Sequence, residues 1–181
     1  TEVECGDIYS VYREVEDKVR PPGRLFGSVG SLSALPGEIR VVDIGDDYAT
    51  AQVEQTYAEI RRGDLLQALV PVRRRVKIRS ATKEVDGQIV AAMRSNNTSL
   101  SMRDVVFIDR GEADGLAPGD TFYITREGDG LKQYRRRGDN LPPSVIGKLV
   151  VIDLGESMST AMIIESARAL KVGDRISMQV F

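Results

Sequence analysis

Carboxylates are the side chains whose types and spacing could support chemistry in this sequence. Four of them crowd one predicted hairpin: Asp43, Asp46, Asp47 and Glu54. Paired carboxylates can act as acid and base or bind calcium, but this spacing lacks the alternating ligands and central glycine of an EF-hand loop. A solvated turn is therefore favoured. Asp43 and its counterpart Asp153 remain the best-placed pair for a carboxylate-dependent hydrolase.

A second acidic pattern is a Gly-Asp pair that leads into a hydrophobic segment. It occurs at Gly6-Asp7, Gly63-Asp64, Gly119-Asp120 and Gly173-Asp174. Glycine adopts the positive φ of a tight turn without steric cost, and Asp can accept hydrogen bonds from nearby backbone N–H groups. The recurrence favours structural turns at the entry of strands over catalytic or metal-binding aspartates.

The chain also repeats itself. Residues 37–66 align without a gap with residues 147–176, and residues 6–14 align with residues 119–127. Identical glycines and aspartates recur together with matching apolar positions, which indicates two copies of one module. The repeat predicts a first module, 1–80, whose N-terminus looks truncated, and a second module, 81–181.

Short β-branched segments that end in Gly and acidic residues predict the secondary structure. Each copy contains a predicted hairpin, with its turn at Gly45-Asp46-Asp47 or at Gly155-Glu156-Ser157. Residues 55–62 and 165–171 could each form a helical turn or two, but neither is long enough for a stable helix alone. The predicted fold class is all-β, in the form of tandem small β-barrel modules.

Composition narrows the classes of function. The net charge of −2 argues against a nucleic-acid binder that acts through overall basicity. The chain has no His and a single Cys, Cys5, which removes the commonest general base and any cysteine-rich metal site. No cofactor or metal is expected, and no apolar stretch has the length of a membrane span. Because the sequence opens without Met, we expect a fragment of a longer protein.

Two clusters of basic residues are candidates for binding an anionic partner. Arg73, Arg75, Lys77 and Arg79 alternate with apolar residues along a predicted strand over 70–79, and Arg135, Arg136 and Arg137 lie in a predicted loop over 127–146. The alternative is a solvated strand face and a solvated loop. Nucleic acid is disfavoured as the partner because no aromatic residues interleave with the arginines.

The two copies differ most in two segments that are predicted to be long loops, 14–36 and 127–146. Long, variable connections on a rigid scaffold often carry binding sites. The first of these loops contains apolar residues that look exposed, among them Leu25, Phe26 and Leu32. They could form a docking patch for a partner or a lid over the end of the barrel.

Two segments carry a family resemblance: DVVFIDRGEADGLAPGDTFYITRE, at 104–127, and IGKLVVIDLGESMSTAMIIESARALKVGDRI, at 146–176. They resemble the region that follows the LysM domain in a group of proteobacterial envelope proteins. They are also similar to the C-terminal β-barrel domain of the flagellar H-ring assembly protein T. The first copy matches only the later part of this signature, so its opening strands are either missing or supplied by an exchanged segment.

The resemblance implies a periplasmic, non-enzymatic module of the cell envelope that docks a protein partner. Peptidoglycan would be bound by an upstream LysM domain outside this chain, and no glycan-binding residue carries over to the present sequence. The alternative function is a ring component of a flagellar or secretion machine. A hydrolase is the least favoured alternative. Turns and core positions carry the likeness, and such positions specify a fold better than a function.

Overall fold

The computed structural model describes residues 3–23, 27–69, 75–79, 81, 83–93, 99–127 and 143–178. Ten strands account for most of them: β1 Ile8–Val19, β2 Gly30–Ile44, β3 Ala49–Thr56, β4 Leu65–Ala68, β5 Val85–Ala92, β6 Val105–Ile108, β7 Thr121–Glu127, β8 Pro143–Leu154, β9 Ser159–Ser166 and β10 Arg175–Met178. A single 3-10 turn, Glu112–Asp114, precedes β7. The predicted all-β class is confirmed.

The helical turns considered over 55–62 and 165–171 do not form. β3 continues to Thr56 and β9 to Ser166, and bends follow each of them. Both segments remain too short to stabilise a helix, whereas strand pairing satisfies their first backbone groups. The ranges that the structure describes contain no helix with the length and hydropathy of a membrane span.

Both predicted hairpins are present and are built alike. The Gly45 N–H donates to the Tyr48 carbonyl at 2.8 Å, and the Gly155 N–H donates to the Met158 carbonyl at 2.9 Å. In each hairpin the register shifts twice, most visibly next to Asp43 in β2 and next to Asp153 in β8. Such bulges strengthen the local twist and bend of a strand. We call residues that the sequence alignment pairs, 110 or 113 positions apart, equivalent.

The chain divides into two compact units. The first unit comprises the described residues within Thr1–Lys18 and Ser31–Val72, and the second comprises those within Val19–Gly30 and Arg73–Phe181. The division after Val72 lies eight residues before the division predicted from the sequence. The segment Val19–Gly30, which joins β1 to β2, is grouped with the second unit.

The second unit contains a closed barrel of six strands in the order β10-β5-β6-β9-β8-β7. Every strand pair in it is antiparallel. Its interior is filled by aliphatic side chains and one phenylalanine, including Ile89, Val106, Ile108, Phe122, Ile124, Leu149, Ile163 and Ile176. Each of these side chains is at most 1% exposed, so the barrel is a packed core.

The first unit is a four-stranded sheet in the order β3-β2-β1-β4. By equivalence this is the order β9-β8-β7-β10 of the barrel, without the two strands that would correspond to β5 and β6. Among the described residues, β3 and β4 therefore each have one neighbouring strand and one unpaired edge. The sequence predicted a barrel-like module here; the structure gives an open sheet, because four strands cannot close around a core.

The predicted loop over 14–36 is wrong in its extent. β1 runs to Val19 and β2 begins at Gly30, and the Val29 N–H donates to the Val19 carbonyl at 2.9 Å. Pro36 lies inside β2, where its carbonyl accepts hydrogen bonds from Tyr57 and Ala58. Proline is tolerated at an irregular position of a strand.

The structure also contains a fifth turn of the Gly-Asp type that the sequence analysis missed. The Asp104 carboxylate accepts the Ser101 N–H at 2.8 Å, and β6 begins at the next residue. Arg103 occupies the position of the glycine and has a φ of 74°. Among the described non-glycine residues it alone has a positive φ. The missing glycine concealed the turn in the sequence.

Replacing Arg103 with Gly should stabilise the second unit. The left-handed conformation costs a residue with a Cβ about 1–2 kcal/mol, and glycine would relieve this strain. The greater freedom of glycine in the unfolded chain offsets about 0.5–1 kcal/mol of the relief. We expect the free energy of unfolding to rise by about 0.5 kcal/mol in urea titrations followed by circular dichroism. Met102→Gly, in the same turn but without a positive φ, is the control and should destabilise. A loss of stability in Arg103→Gly would contradict the argument from strain.

Ser159→Ala should also stabilise the barrel. The Ser159 side chain is 1% exposed, and its hydroxyl has no hydrogen-bond partner among the described residues. Burying an unpaired hydroxyl is unfavourable, and alanine already stands at the equivalent position, Ala49. We expect a gain of about 1 kcal/mol in the same titrations. Ser166→Ala is the matched control in β9; it removes a hydroxyl that donates to the Arg168 carbonyl at 2.9 Å and should stabilise nothing.

Candidate docking surface on the first unit

The four predicted Gly-Asp pairs are strand-entry turns with one common geometry. Each carboxylate accepts the backbone N–H of the residue three positions earlier: Glu4 to Asp7 at 3.0 Å, Arg61 to Asp64 at 2.8 Å, Ala117 to Asp120 at 2.8 Å, and Lys171 to Asp174 at 2.9 Å. The four glycines have φ values of 98°, 96°, 99° and 94° in chain order. These aspartates are therefore engaged in shaping turns.

Two of these aspartates also bind an arginine from the neighbouring strand. Arg13 in β1 donates to both carboxylate oxygens of Asp64 at 2.6 Å and to the Glu59 carbonyl at 3.2 Å. Arg126 in β7 does the same with Asp174, at 2.9 and 2.5 Å. A two-point contact between guanidinium and carboxylate fixes orientation as well as supplying attraction. The ion pair therefore holds the turn before β4 against β1 in the first unit, and the turn before β10 against β7 in the barrel.

The environment of these groups shifts their ionisation. The hydrogen bond from Arg13, followed by the Arg61 backbone N–H, lowers the pKa of Asp64. Desolvation, followed by the nearby Asp7 carboxylate, raises the pKa of Tyr9. The Tyr9 hydroxyl donates to Asp7 at 3.3 Å. Tyr9 stands where the barrel has Phe122, so the first unit has a polar contact at a position that the barrel fills with a phenyl ring.

An apolar face of the first unit is only partly covered. Cross-strand neighbours share one face of a sheet, and the pairs Val11–Leu66, Val41–Ala51 and Ile39–Val53 place these six side chains together. Val11 and Val41, in the central strands, are 2% and 4% exposed. Leu66 and Val53, in the edge strands, are 53% and 50% exposed. Their barrel equivalents Ile176 and Ile163 are at most 1% exposed.

The edges next to this face have unpaired backbone groups. In the barrel, Gly173 donates to the Ile89 carbonyl at 2.8 Å, and Ile89 donates to the Asp174 carbonyl at 3.0 Å, which joins β5 to the turn before β10. Within the described ranges no backbone group makes the corresponding bonds to Gly63 and Asp64.

The same comparison applies at the other edge. Ile163 in β9 donates to the Asp104 carbonyl at 3.0 Å and accepts the Arg103 N–H at 2.8 Å. Its equivalent, Val53, receives no such pair from the part of the chain that the structure describes. Together the exposed apolar face and the two unpaired edges form one surface. We call this surface of β3 and β4, with Ala51, Val53, Leu66 and the Gly63-Asp64 turn, the open sheet surface.

The predicted basic strand over 70–79 is not a strand where it is described. Arg75, Lys77 and Arg79 are exposed, and residues 75–79 have no regular structure. The Arg79 N–H donates to the Gly119 carbonyl at 2.9 Å, and its guanidinium lies 3.9 Å from the Asp120 carboxylate. The alternation of basic and apolar residues is not enough to form a strand here, because residues 75–79 run beside the Gly119-Asp120 turn and pair with no described strand.

The other predicted binding residues fall into two groups. Leu32, predicted to lie in a docking loop, is a half-buried residue of β2. The remaining ones lie outside the described residues: Leu25, Phe26, Arg73, Arg135, Arg136 and Arg137. Of the two predicted docking loops, the first is largely strand, and residues 143–146 of the second belong to β8. Leu25, Phe26 and residues 128–142 lie outside the described residues, so the loop surface stays a prediction.

The paired-carboxylate hypothesis stays a prediction. Asp43 and Asp153 occupy equivalent bulges, one in each unit, opposite Thr50 and Thr160. Glu54 is instead bound to Arg40 across β2 and β3, at 2.5 Å, which lowers the pKa of Glu54. In the described ranges no three acidic, Cys or His side chains lie close enough to hold a metal ion.

Comparison with known proteins adds no family assignment: no protein-family model matches the chain, and no curated protein sequence matches it. The fold and the open sheet surface therefore carry the functional argument.

The Arg13–Asp64 ion pair should make the first unit sensitive to acid. Because the folded-state pKa of Asp64 is lowered, its contribution is complete above the unfolded value of about 3.9 and is lost as the pH falls toward the folded value. We expect the urea midpoint of the first unit to fall as the pH drops below about 4. Asp64→Asn should reduce that dependence and lower stability at pH 7, whereas Asp46→Asn, in an exposed hairpin turn, should leave the dependence intact. Equal pH profiles for the wild type and Asp64→Asn would contradict this assignment.

Proposed function

We propose that this chain is a non-catalytic interaction module of the bacterial cell envelope, and that it docks a protein partner on the open sheet surface. The observation that carries the proposal is the contrast between the units. Equivalent strands bury their apolar face in the barrel and expose it in the first unit, where Val53 and Leu66 are about half exposed. An exposed apolar face beside unpaired strand edges is a surface to which another β-strand adds readily.

The way in which the first unit uses its acidic residues supports a non-catalytic function. Asp7 and Asp64 accept backbone N–H groups in turns, and Asp64 also holds Arg13. The lowered pKa of Asp64, and the hydrogen bonds that occupy its oxygens, leave it poorly placed to exchange protons with a substrate. We therefore assign the repeated aspartates to the scaffold and the function to the surface that the scaffold leaves uncovered.

The compartment and context follow from the sequence resemblance. The LysM-associated envelope proteins and the flagellar H-ring protein both place such a module in the periplasm. We propose the LysM-associated setting, in which peptidoglycan is bound by a separate upstream domain and this chain binds protein. The open sheet surface replaces loops 14–36 and 127–146 as the proposed docking site, because most of loop 14–36 is strand.

Photo-crosslinking in cells tests this function. A photoreactive amino acid at Val53 in the natural full-length protein should give a discrete adduct with one envelope protein. When cells are fractionated by osmotic shock, the full-length protein or its adduct should be found in the periplasmic fraction. Leu66→Asp places a charge in the docking face and should reduce the adduct at least about tenfold, since a buried unpaired charge strongly opposes association.

Val145 provides the matched control position because it is 59% exposed in β8 of the second unit. The probe at Val145 should not give the same adduct, and Val145→Asp should not reduce the adduct formed from Val53. Equal crosslinking from both positions would indicate non-specific contact. A protein confined to the cytoplasmic fraction would overturn the envelope assignment.

A further inference from the structure

The open sheet surface also specifies what kind of polypeptide fits it. We infer that the partner inserts a two-stranded β-hairpin, which takes the place that β5 and β6 hold in the barrel and closes the first unit. This inference rests on the proposed function and deepens it. A single added strand would leave the other edge unpaired, whereas β6 pairs with β9, β5 pairs with β10, and the two pair with each other.

The barrel gives the side-chain pattern that such a hairpin needs. In β6, Val106 faces Ala161 and Ile108 faces Ser159, and both apolar side chains are fully buried. The strand that pairs with β3 should therefore present large aliphatic residues opposite Ala51 and Ala49, which are the equivalents of Ala161 and Ser159.

The other strand of the hairpin has a different requirement. In β5, Gly87 faces Ile176, and a Cβ at Gly87 would lie 2.7 Å from the Asp109 carboxylate. A hairpin that keeps a carboxylate at the position of Asp109 should therefore carry a glycine opposite Leu66. The partner hairpin thus has one strand with large aliphatic side chains facing inward and a second strand with a small residue at its centre.

Three substitutions favour a hairpin from another polypeptide over one built permanently into the first unit. Val53 stands where the barrel has Ile163, Ala68 where it has Met178, and Tyr9 where it has Phe122. Each change reduces the apolar surface that the empty sheet exposes to water. The first unit also completes its own Arg13–Asp64 ion pair without the two strands. These features let it persist unoccupied, as a receptor must before its partner arrives.

Amide exchange provides a test with one reporter on each edge. The Val53 N–H reports pairing along β3, and the Gly63 N–H reports pairing beside β4. In the barrel their equivalents donate to carbonyls of the two added strands: Ile163 to Asp104, just before β6, and Gly173 to Ile89, in β5. The probe is a peptide of residues 84–110, which is the chain's own β5–β6 sequence. At saturating peptide, both amides should exchange at least about tenfold more slowly. The Gly6 N–H already donates to Val41 and should change little.

Two control peptides sharpen the result. A peptide of residues 103–110 supplies only the β6 strand and should slow Val53 without slowing Gly63. The 84–110 peptide with Val106→Asp and Ile108→Asp should slow neither. Equal protection by the single strand and the hairpin would overturn the inference of a two-stranded partner.

Joining residues 84–115 directly ahead of Val3 keeps the proposal testable if the free peptide aggregates. This graft should slow exchange at both reporters because it presents the same hairpin at a high effective concentration. Protection by the graft, together with no effect of a soluble peptide, would show that the hairpin fits only when it is part of the same chain, and would overturn a separate partner. Protection of both amides in the isolated, monomeric full-length protein would overturn it equally.

The outcomes separate this inference from the proposed function. A specific Val53 adduct in cells, combined with no effect of either hairpin form, would retain the docking surface and reject the hairpin. Protection by the hairpin, combined with no adduct in cells, would retain the fit and reject the cellular docking function.

Discussion

The aspartate at the entry of a strand is the constraint on which both units depend. Its carboxylate holds the turn by accepting a backbone N–H, and at Asp64 and Asp174 it also holds an arginine on the adjacent strand. Asp64 and Asp174 are 5% and 2% exposed, so each ion pair is shielded on the carboxylate side. A carboxylate that is desolvated in this way needs nearly all its hydrogen bonds, because an unpaired charge there would be costly. The turn, the glycine and the arginine are therefore fixed together.

This constraint explains why the same turn and ion pair occur both in the closed barrel and in the open four-stranded sheet. The turn and the ion pair use only strands that have an equivalent in both units, namely β1 and β4 in the first unit and β7 and β10 in the barrel. None of these contacts requires β5 or β6. The four-stranded arrangement is thus held by polar contacts of its own, while the barrel gains the additional burial of Ile89, Val106 and Ile108. Local polar geometry sets the order of the strands, and apolar burial determines whether the sheet closes.

Sequence reasoning predicted what is local and missed what depends on distant partners. The Gly-Asp turns, the two hairpins and the all-β class follow from side-chain chemistry within a few residues. The turn at Arg103 had no such signal, because an arginine held in the left-handed conformation looks like any other arginine. The supposed strand over 70–79 shows the opposite error. Its alternation is real, but whether residues 75–79 pair with a strand depends on which edge is available.

The sequence did not predict the open sheet surface, for a related reason. Ala51, Val53 and Leu66 read as core residues, and in the barrel their equivalents are core residues. Only the strand order shows that two neighbours are absent from the described part of the first unit. The sequences of the two copies differ most in the predicted loops, so the sequence favoured the loops as binding sites.

The structure locates the difference between the copies in their strand pairing instead. A residue type that fits a core also fits an interface, since both bury apolar area, so apolar character alone does not distinguish the two. One sequence signal is that Val53 and Ala68 are smaller than their barrel equivalents, Ile163 and Met178. Smaller side chains are favoured in an open sheet, because they expose less apolar surface to water.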